Sequence, residues 1–224
     1  MDLAEQIVSK ANKKPVPFVL NTEKLYKKIN NNPDLKNDLG TPYKREALFL
    51  AYLTGARASE LLRVKPMDFE GHGDNVTVLL LNEKKRRGAI YRKIPLRTKH
   101  KYDGLMLKRV TWLVNKQILN GKEKEPLWPV TRSTLWRWAQ KINLVTQATN
   151  ERERKIIDVY EFRMFPHYLR HCRATHFVNI FRVDAFTLQG LMGWTSPEMA
   201  RVYVKFDWKT AADLLLGRWK GSTE

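Results

Sequence analysis

From Asn21 a capping residue is followed by apolar positions at helical spacing in Thr-Glu-Lys-Leu-Tyr-Lys-Lys-Ile, predicting a short helix through about Asn30. The segment Asn31 to Gly40 breaks the pattern. A second helix is predicted over Tyr43 to Thr54, with Leu48, Leu50, Tyr52 and Leu53 largely buried and Gly55 as its stop, and another starts near Ser59. Two β-prone runs follow, 76–82 and 89–96, separated by the charged link Glu-Lys-Lys-Arg-Arg-Gly, which is a hairpin signal. Beyond them helical spacing returns over 102–119, 132–148, 167–180, 185–192, 197–203 and 208–217. Asn150 to Arg154 is a charged bend between two of these helices, a surface loop. The fold class expected is mainly α with a small antiparallel β-sheet (α+β). Residues 1–16, polar and carrying Pro-Val-Pro, read as a tail or linker stub, and 17–224 as one domain.

Composition makes folding secure and points to a partner. The chain of 224 residues is 43% hydrophobic, enough apolar surface for one core. Its 41 Lys and Arg stand against 23 Asp and Glu, and the net charge of +18 surrounds the molecule with a positive field suited to a polyanion. No long apolar helix, signal peptide or lipidation motif favours a membrane, so nucleic acid is the expected partner. The single cysteine, Cys172, rules out an internal disulfide and fits a reducing, cytoplasmic setting, or the host cytoplasm or nucleoid for a viral or plasmid protein. His167, His171 and His176 lie close to it, but four such residues within ten positions provide no separated second ligand pair for zinc. No metal and no cofactor are expected.

Three separated segments carry possible chemistry. In LTGARASEL, Leu53 to Leu61, a glycine turn presents Arg57 at a helix start, where a planar guanidinium can bond two phosphate oxygens at once. In PHYLRHCRATH, Pro166 to His176, His167 and Arg170 stand three residues apart on one helix face and can meet one phosphate. In LMGWTSPEMARVYVKFD, Leu191 to Asp207, Tyr203 follows Trp194 by nine residues across a loop and a short helix. Taken singly, each has an ordinary explanation: a surface arginine beside a cap, a basic helix with structural histidines, a packed aromatic.

The order TGARASEL, HYLRH, LMGWTSP and Tyr203, with the hairpin between the first two, resembles the tyrosine recombinase or phage integrase family over nearly the whole chain from about Pro17. That resemblance implies a catalytic domain with Arg57, Lys84, His167, Arg170, Trp194 and Tyr203 acting on one scissile phosphate of double-stranded DNA. Tyr203 would be the nucleophile, His167 its base, and Lys84 on the hairpin the general acid, with Lys85 and Arg86 adjoining it. The two guanidiniums would hold the non-bridging oxygens and take the role of a divalent cation. Many family members have histidine where this chain has Trp194, whose N–H can donate a hydrogen bond but cannot exchange a proton near neutral pH.

The activity implied is site-specific recombination or integration through a 3′-phosphotyrosyl intermediate, without ATP. A homo-oligomer is implied, a tetramer on DNA and a monomer when free. Single-round strand transfer, as in a topoisomerase or resolvase, and DNA binding with an unused site are the alternatives. Family members usually carry a helical domain ahead of the catalytic one; here the Asn21 helix resembles the catalytic domain's first element, so the chain reads as an excised fragment or a minimal enzyme. DNA affinity would then rest on phosphate contacts and weaken steeply with salt. Residues 208–224, with Leu214, Leu215 and Leu216, are expected to dock on a neighbouring protomer or on the chain's own core.

Overall fold

The fold is organised around one helix that is buried on every side over most of its length. The computed structural model describes residues 19–36, 43–71, 75–82, 90–96, 98–150 and 155–203. The tail 1–16, the hairpin link with Lys84, Lys85 and Arg86, the tip 151–154, and the stretch 208–224 lie outside them. Helix α1, Thr22–Asn30, starts at Asn21, whose side chain accepts from Lys24 N–H at 2.8 Å. Helix α2, Lys44–Thr54, is buried from Glu46 to Thr54, and a helix without a polar face belongs in the interior. It packs on α4, Lys101–Leu119, and on α6, Pro166–Asn179. Between α2 and α4 lie the short helix α3, Ala58–Leu61, and a three-stranded antiparallel sheet ordered β1 (Phe69–Glu70), β2 (Thr77–Asn82), β3 (Ile90–Pro95).

The hairpin expected at 76–82 and 89–96 is therefore present, with Val78 opposite Ile94 and Leu80 opposite Arg92. Strand alternation turns Val78, Leu80 and Ile94 to the core, and the same period turns Arg92 inward, where it is 9% exposed.

The helix predicted over 132–148 is half as long. Helix α5 covers Arg132–Ala139, and the chain then forms an antiparallel ribbon of β4, Asn143–Asn150, and β5, Lys155–Arg163, with a bulge at Ala148/Thr149. Helical spacing misled because Leu135, Trp138, Ala139 and Ile142 are all buried and keep that period past the true end. Ile142 N–H bonds Ala139 C=O in a turn, and the residues beyond, with Val145, Thr146 and Thr149, favour strand. Asn150 to Arg154 thus falls between two strands rather than two helices. Within the described residues the other predicted helices agree within a residue or three at each end, and the one predicted over 208–217 lies outside them.

The last described elements, α7 (Ala185–Met192) and α8 (Glu198–Arg201), form a satellite core with α6 from Ala174, Phe177, Leu188, Met192 and Ala200. Trp194 and Tyr203 pack against its edge. Among the described residues no helix is long and apolar enough to cross a membrane.

Candidate active site

Arg57 is placed by a backbone device. Gly55 closes α2 in the left-handed conformation, φ 59°, which a side chain disfavours, and a Cβ there would also lie 2.9 Å from Met192 Sδ. The chain turns and re-enters helix at once, with Arg57 as N-cap of α3. Glu60, three residues on, accepts from Arg57 N–H at 2.8 Å and from its guanidinium at 2.7 Å. The Glu60 oxygen that takes the Arg57 N–H, Oε2, also accepts from Arg92 at 2.6 Å, while Oε1 takes the Arg57 guanidinium. Glu60 is 2% exposed, so a single buried carboxylate carries two guanidiniums.

Arg170, on the second turn of α6, is 3% exposed. Its two terminal nitrogens donate to the carbonyls of Gly55 and Met192, each at 2.5 Å, which joins the end of α2 to the end of α7. Arg92 makes a parallel link by donating to Leu191 C=O at 2.7 Å. The three boxes separated in sequence are held together by these buried forks. Burial first, then the like charges of Arg57 and Arg92, push Arg170 down to about 9, so it stays cationic at neutral pH. Burial also lowers Arg92, with Glu60 opposing the shift and Arg57 adding to it. One carboxylate among three guanidiniums leaves an excess of positive charge that an incoming anion would balance.

Gly193 ends α7 in the left-handed region, φ 62°, and Trp194 N–H bonds back to Gln189 C=O at 3.1 Å, fixing where the indole leaves the helix. The Arg170 guanidinium lies 5.6 Å from the centre of the Trp194 ring. Trp194 stacks in turn on Tyr203, centroids 5.5 Å apart and planes 16° apart. Tyr203 is half-buried. Desolvation raises its hydroxyl above the usual phenol range, against the pull of Arg170, so the phenol is protonated at neutral pH.

The Tyr203 hydroxyl makes its hydrogen bond with Nδ1 of His171, at 3.1 Å. His167, one turn earlier on the same face of α6, is exposed. The desolvation it does feel, with the positive charges of Arg170 and Arg57, lowers its pKa and keeps it neutral. His171 is lowered by burial and by His167. The rest of the His/Cys group turns away: Cys172 is buried, and His176 bonds the Tyr52 hydroxyl at 2.7 Å. Among the described residues no three His, Cys, Asp or Glu side chains gather as metal ligands.

Of the six predicted residues, Arg57, His167, Arg170, Trp194 and Tyr203 fall into one region, and Lys84 lies outside the described residues. Glu60, Arg92 and His171 were not predicted. Two signals pointed to them: Arg92 occupies an inward position of an alternating strand, and His171 follows His167 by one helical turn.

Solved structures of similar fold include recombinases and an integrase. The XerH site-specific recombinase bound to difH substrate, a pre-cleavage complex, is 23% identical, with TM-score 0.58 over 89% of this chain and 53% of that one. The Tn1549 transposon integrase in complex with transposon right-end DNA is 17% identical, with TM-score 0.56 over 97% and 70%. The XerA recombinase is 18% identical, with TM-score 0.53 over 90% and 65%. The chain spans about half the length of the XerH chains it matches. Nothing among curated proteins matches it significantly. The sequence profile of the Phage integrase family matches residues 21–209, a stretch that takes in all three boxes and the hairpin, and the chain belongs to that family of tyrosine recombinases.

Proposed function

We propose that this chain is the catalytic domain of a site-specific DNA recombinase or integrase that cuts and rejoins strands through Tyr203. The observation that carries the reading is the cluster of Arg57, Arg92 and Arg170 around the single carboxylate of Glu60, with Tyr203 stacked beside Arg170 through Trp194. A scissile phosphate brings the missing negative charge. Arg57 and Arg170 hold its non-bridging oxygens, and they hold them more tightly as charge builds in the transition state. Because these donors are anchored by Glu60 and by backbone carbonyls before DNA arrives, little reorganisation accompanies the reaction.

In the cleavage step the Tyr203 oxygen forms a bond to phosphorus while the bond from phosphorus to the 5′ oxygen breaks. The phenol proton goes to His167, which is neutral at physiological pH and so able to accept it. Lys84 of the hairpin gives a proton to the departing 5′ oxygen. The product is a 3′-phosphotyrosyl enzyme and a free 5′ hydroxyl, and reversal by another 5′ hydroxyl completes strand exchange without ATP. Trp194 donates to a phosphate oxygen or braces the phenol. The partner is double-stranded DNA, drawn by the +18 charge, and exchange between two duplexes calls for a tetramer. The XerH complexes named pre-cleavage and post-cleavage support the chemical assignment by likeness of fold.

The test is a nicked suicide duplex that cannot religate, incubated with the protein and run on a denaturing gel. A covalent adduct is expected, and Tyr203→Phe should abolish it while leaving DNA affinity nearly unchanged. Binding without any adduct in the unaltered protein would mean a DNA-binding module with an idle site, and an adduct that survives Tyr203→Phe would overturn the nucleophile.

A further inference from the structure

We infer that His171 is a positioning residue for Tyr203, holding the phenol in attack geometry through the hydrogen bond from the tyrosine hydroxyl to Nδ1. The inference rests on Tyr203 being the nucleophile. Tyr203 lies just beyond α8, a helix of only four residues, and its own backbone is tied by a single turn, Tyr203 N–H to Ala200 C=O at 2.9 Å. So short an element does little to fix a side chain. Two contacts to better-anchored elements do so instead.

Stacking on Trp194 sets the plane of the phenol ring but leaves it free to slide within that plane. The bond to His171 at 3.1 Å supplies the missing restraint, because it pins the hydroxyl, the far end of the lever, to a fixed point. His171 is a firm anchor: it sits mid-way along the fourteen-residue α6, and its ring also lies 5.4 Å from the tyrosine ring. Two residues of that same helix flank it in function. His167 and Arg170 face the proposed phosphate site, so one rigid rod places the anion holder, the base and the clamp on the nucleophile. Near-attack geometry demands that Oη be held to within about an ångström of its path to phosphorus, and losing such a restraint costs roughly 10- to 100-fold in rate.

With the proton on Nε2, the neutral ring accepts from the phenol at Nδ1 and keeps the oxygen on its line to phosphorus; the bond is given up only in the attack itself, as the phenol proton passes to His167. His171 forms no bond to substrate in this scheme. It raises the fraction of molecules in which attack is possible, so its loss affects the chemical step and not DNA binding.

The experiment compares His171→Phe, which keeps the ring and its packing but loses the acceptor, with His171→Asn, whose amide oxygen occupies nearly the place of Nδ1. Single-turnover adduct formation on the suicide duplex, DNA affinity by anisotropy and melting temperature are measured for the full chain. The Phe variant should form adduct about 10- to 100-fold more slowly with unchanged DNA affinity. The Asn variant should recover to within about threefold. An adduct rate at the unaltered level in the Phe variant overturns the inference, and so does an Asn variant as slow as Phe. Should Phe lower the melting temperature, Asn decides alone: a near-normal rate sustains the role and a large loss in a stably folded protein ends it. Adduct in the unaltered protein and none in Tyr203→Phe uphold the recombinase reading whichever way His171 falls, whereas no adduct in the unaltered protein removes both.

Discussion

Arg92 shows how much of the site rests on a residue that touches no substrate in the proposed scheme. It is 9% exposed, bonds Glu60 at 2.6 Å and Leu191 C=O at 2.7 Å, and so ties β3 to α3 and α7. Replacing it by methionine keeps most of the side-chain volume but strips Glu60 of one of its two cationic partners. Removing one member of a buried ion pair costs about 3 to 5 kcal/mol, because the other charge remains buried. Arg57 partly compensates here, so Arg92→Met should lower the unfolding free energy by about 2 to 3 kcal/mol in urea titrations. Adding Glu60→Gln should recover part of that loss, since the stranded carboxylate is then gone. A strictly additive double mutant would show that the two side chains do not act as a pair. The sequence disclosed residues whose chemistry is visible in a short motif, Arg57, His167, Arg170, Trp194 and Tyr203. It hid those defined by what they face. Arg92 reads as one more cation in a basic hairpin until strand register turns it inward. His171 reads as a structural histidine until a tyrosine thirty-two positions later arrives at its Nδ1.

At the scale of elements, the site depends on how helices end. Gly55 and Gly193 terminate α2 and α7 in the left-handed conformation, and the carbonyls of Gly55 and Met192 beside those ends receive the two arms of Arg170. Gly55→Ala would impose a left-handed alanine, costing about 1 to 2 kcal/mol, and would press its Cβ to 2.9 Å from the Met192 side chain. Methionine is flexible and can yield, so backbone strain dominates. A lower melting temperature is expected, together with slower adduct formation, because any shift at residue 55 moves an acceptor that orients Arg170. An alanine variant as stable as the unaltered chain would mean that the turn relaxes without cost. These stops were legible, since glycine after an apolar helical run is a local signal. The β4–β5 ribbon was not. The buried side chains of α5 continue their spacing through Ile142, and a strand pairing with a segment some ten residues further on leaves no mark within its own period.

Across the whole molecule, acid should weaken the fold through a buried group that lies away from the proposed chemistry. His176 is 4% exposed, and its Nδ1 bonds the Tyr52 hydroxyl at 2.7 Å, with Thr22 Oγ1 at 3.5 Å. Beside it Arg173, fully buried, pairs with Asp103 at 2.6 Å. This cluster joins α1, α2, α4 and α6 and is the polar centre of the main core. Burial, followed by the positive charge of Arg173, lowers His176 from 6.5 to about 4, with Asp103 pulling the other way. The unfolded chain takes up a proton near 6.5 and the folded one resists until about 4, so between these values the unfolded state binds more protons. The stabilisation is therefore complete above about pH 6.5 and is lost as pH falls towards 4. The gap amounts to about 3 kcal/mol at most, of which roughly 2 should be gone by pH 5. His171 and His167 are shifted in the same sense and add to the loss, while each proton gained raises a net charge that already stands at +18. Urea unfolding midpoints should fall from pH 7.5 to pH 5 in the unaltered chain. The fall should be smaller in His176→Gln, which keeps a hydrogen-bonding side chain but cannot take up the proton. An equal fall in both proteins would assign the acid sensitivity to the other histidines and the overall charge, and would leave the buried cluster without a part in it.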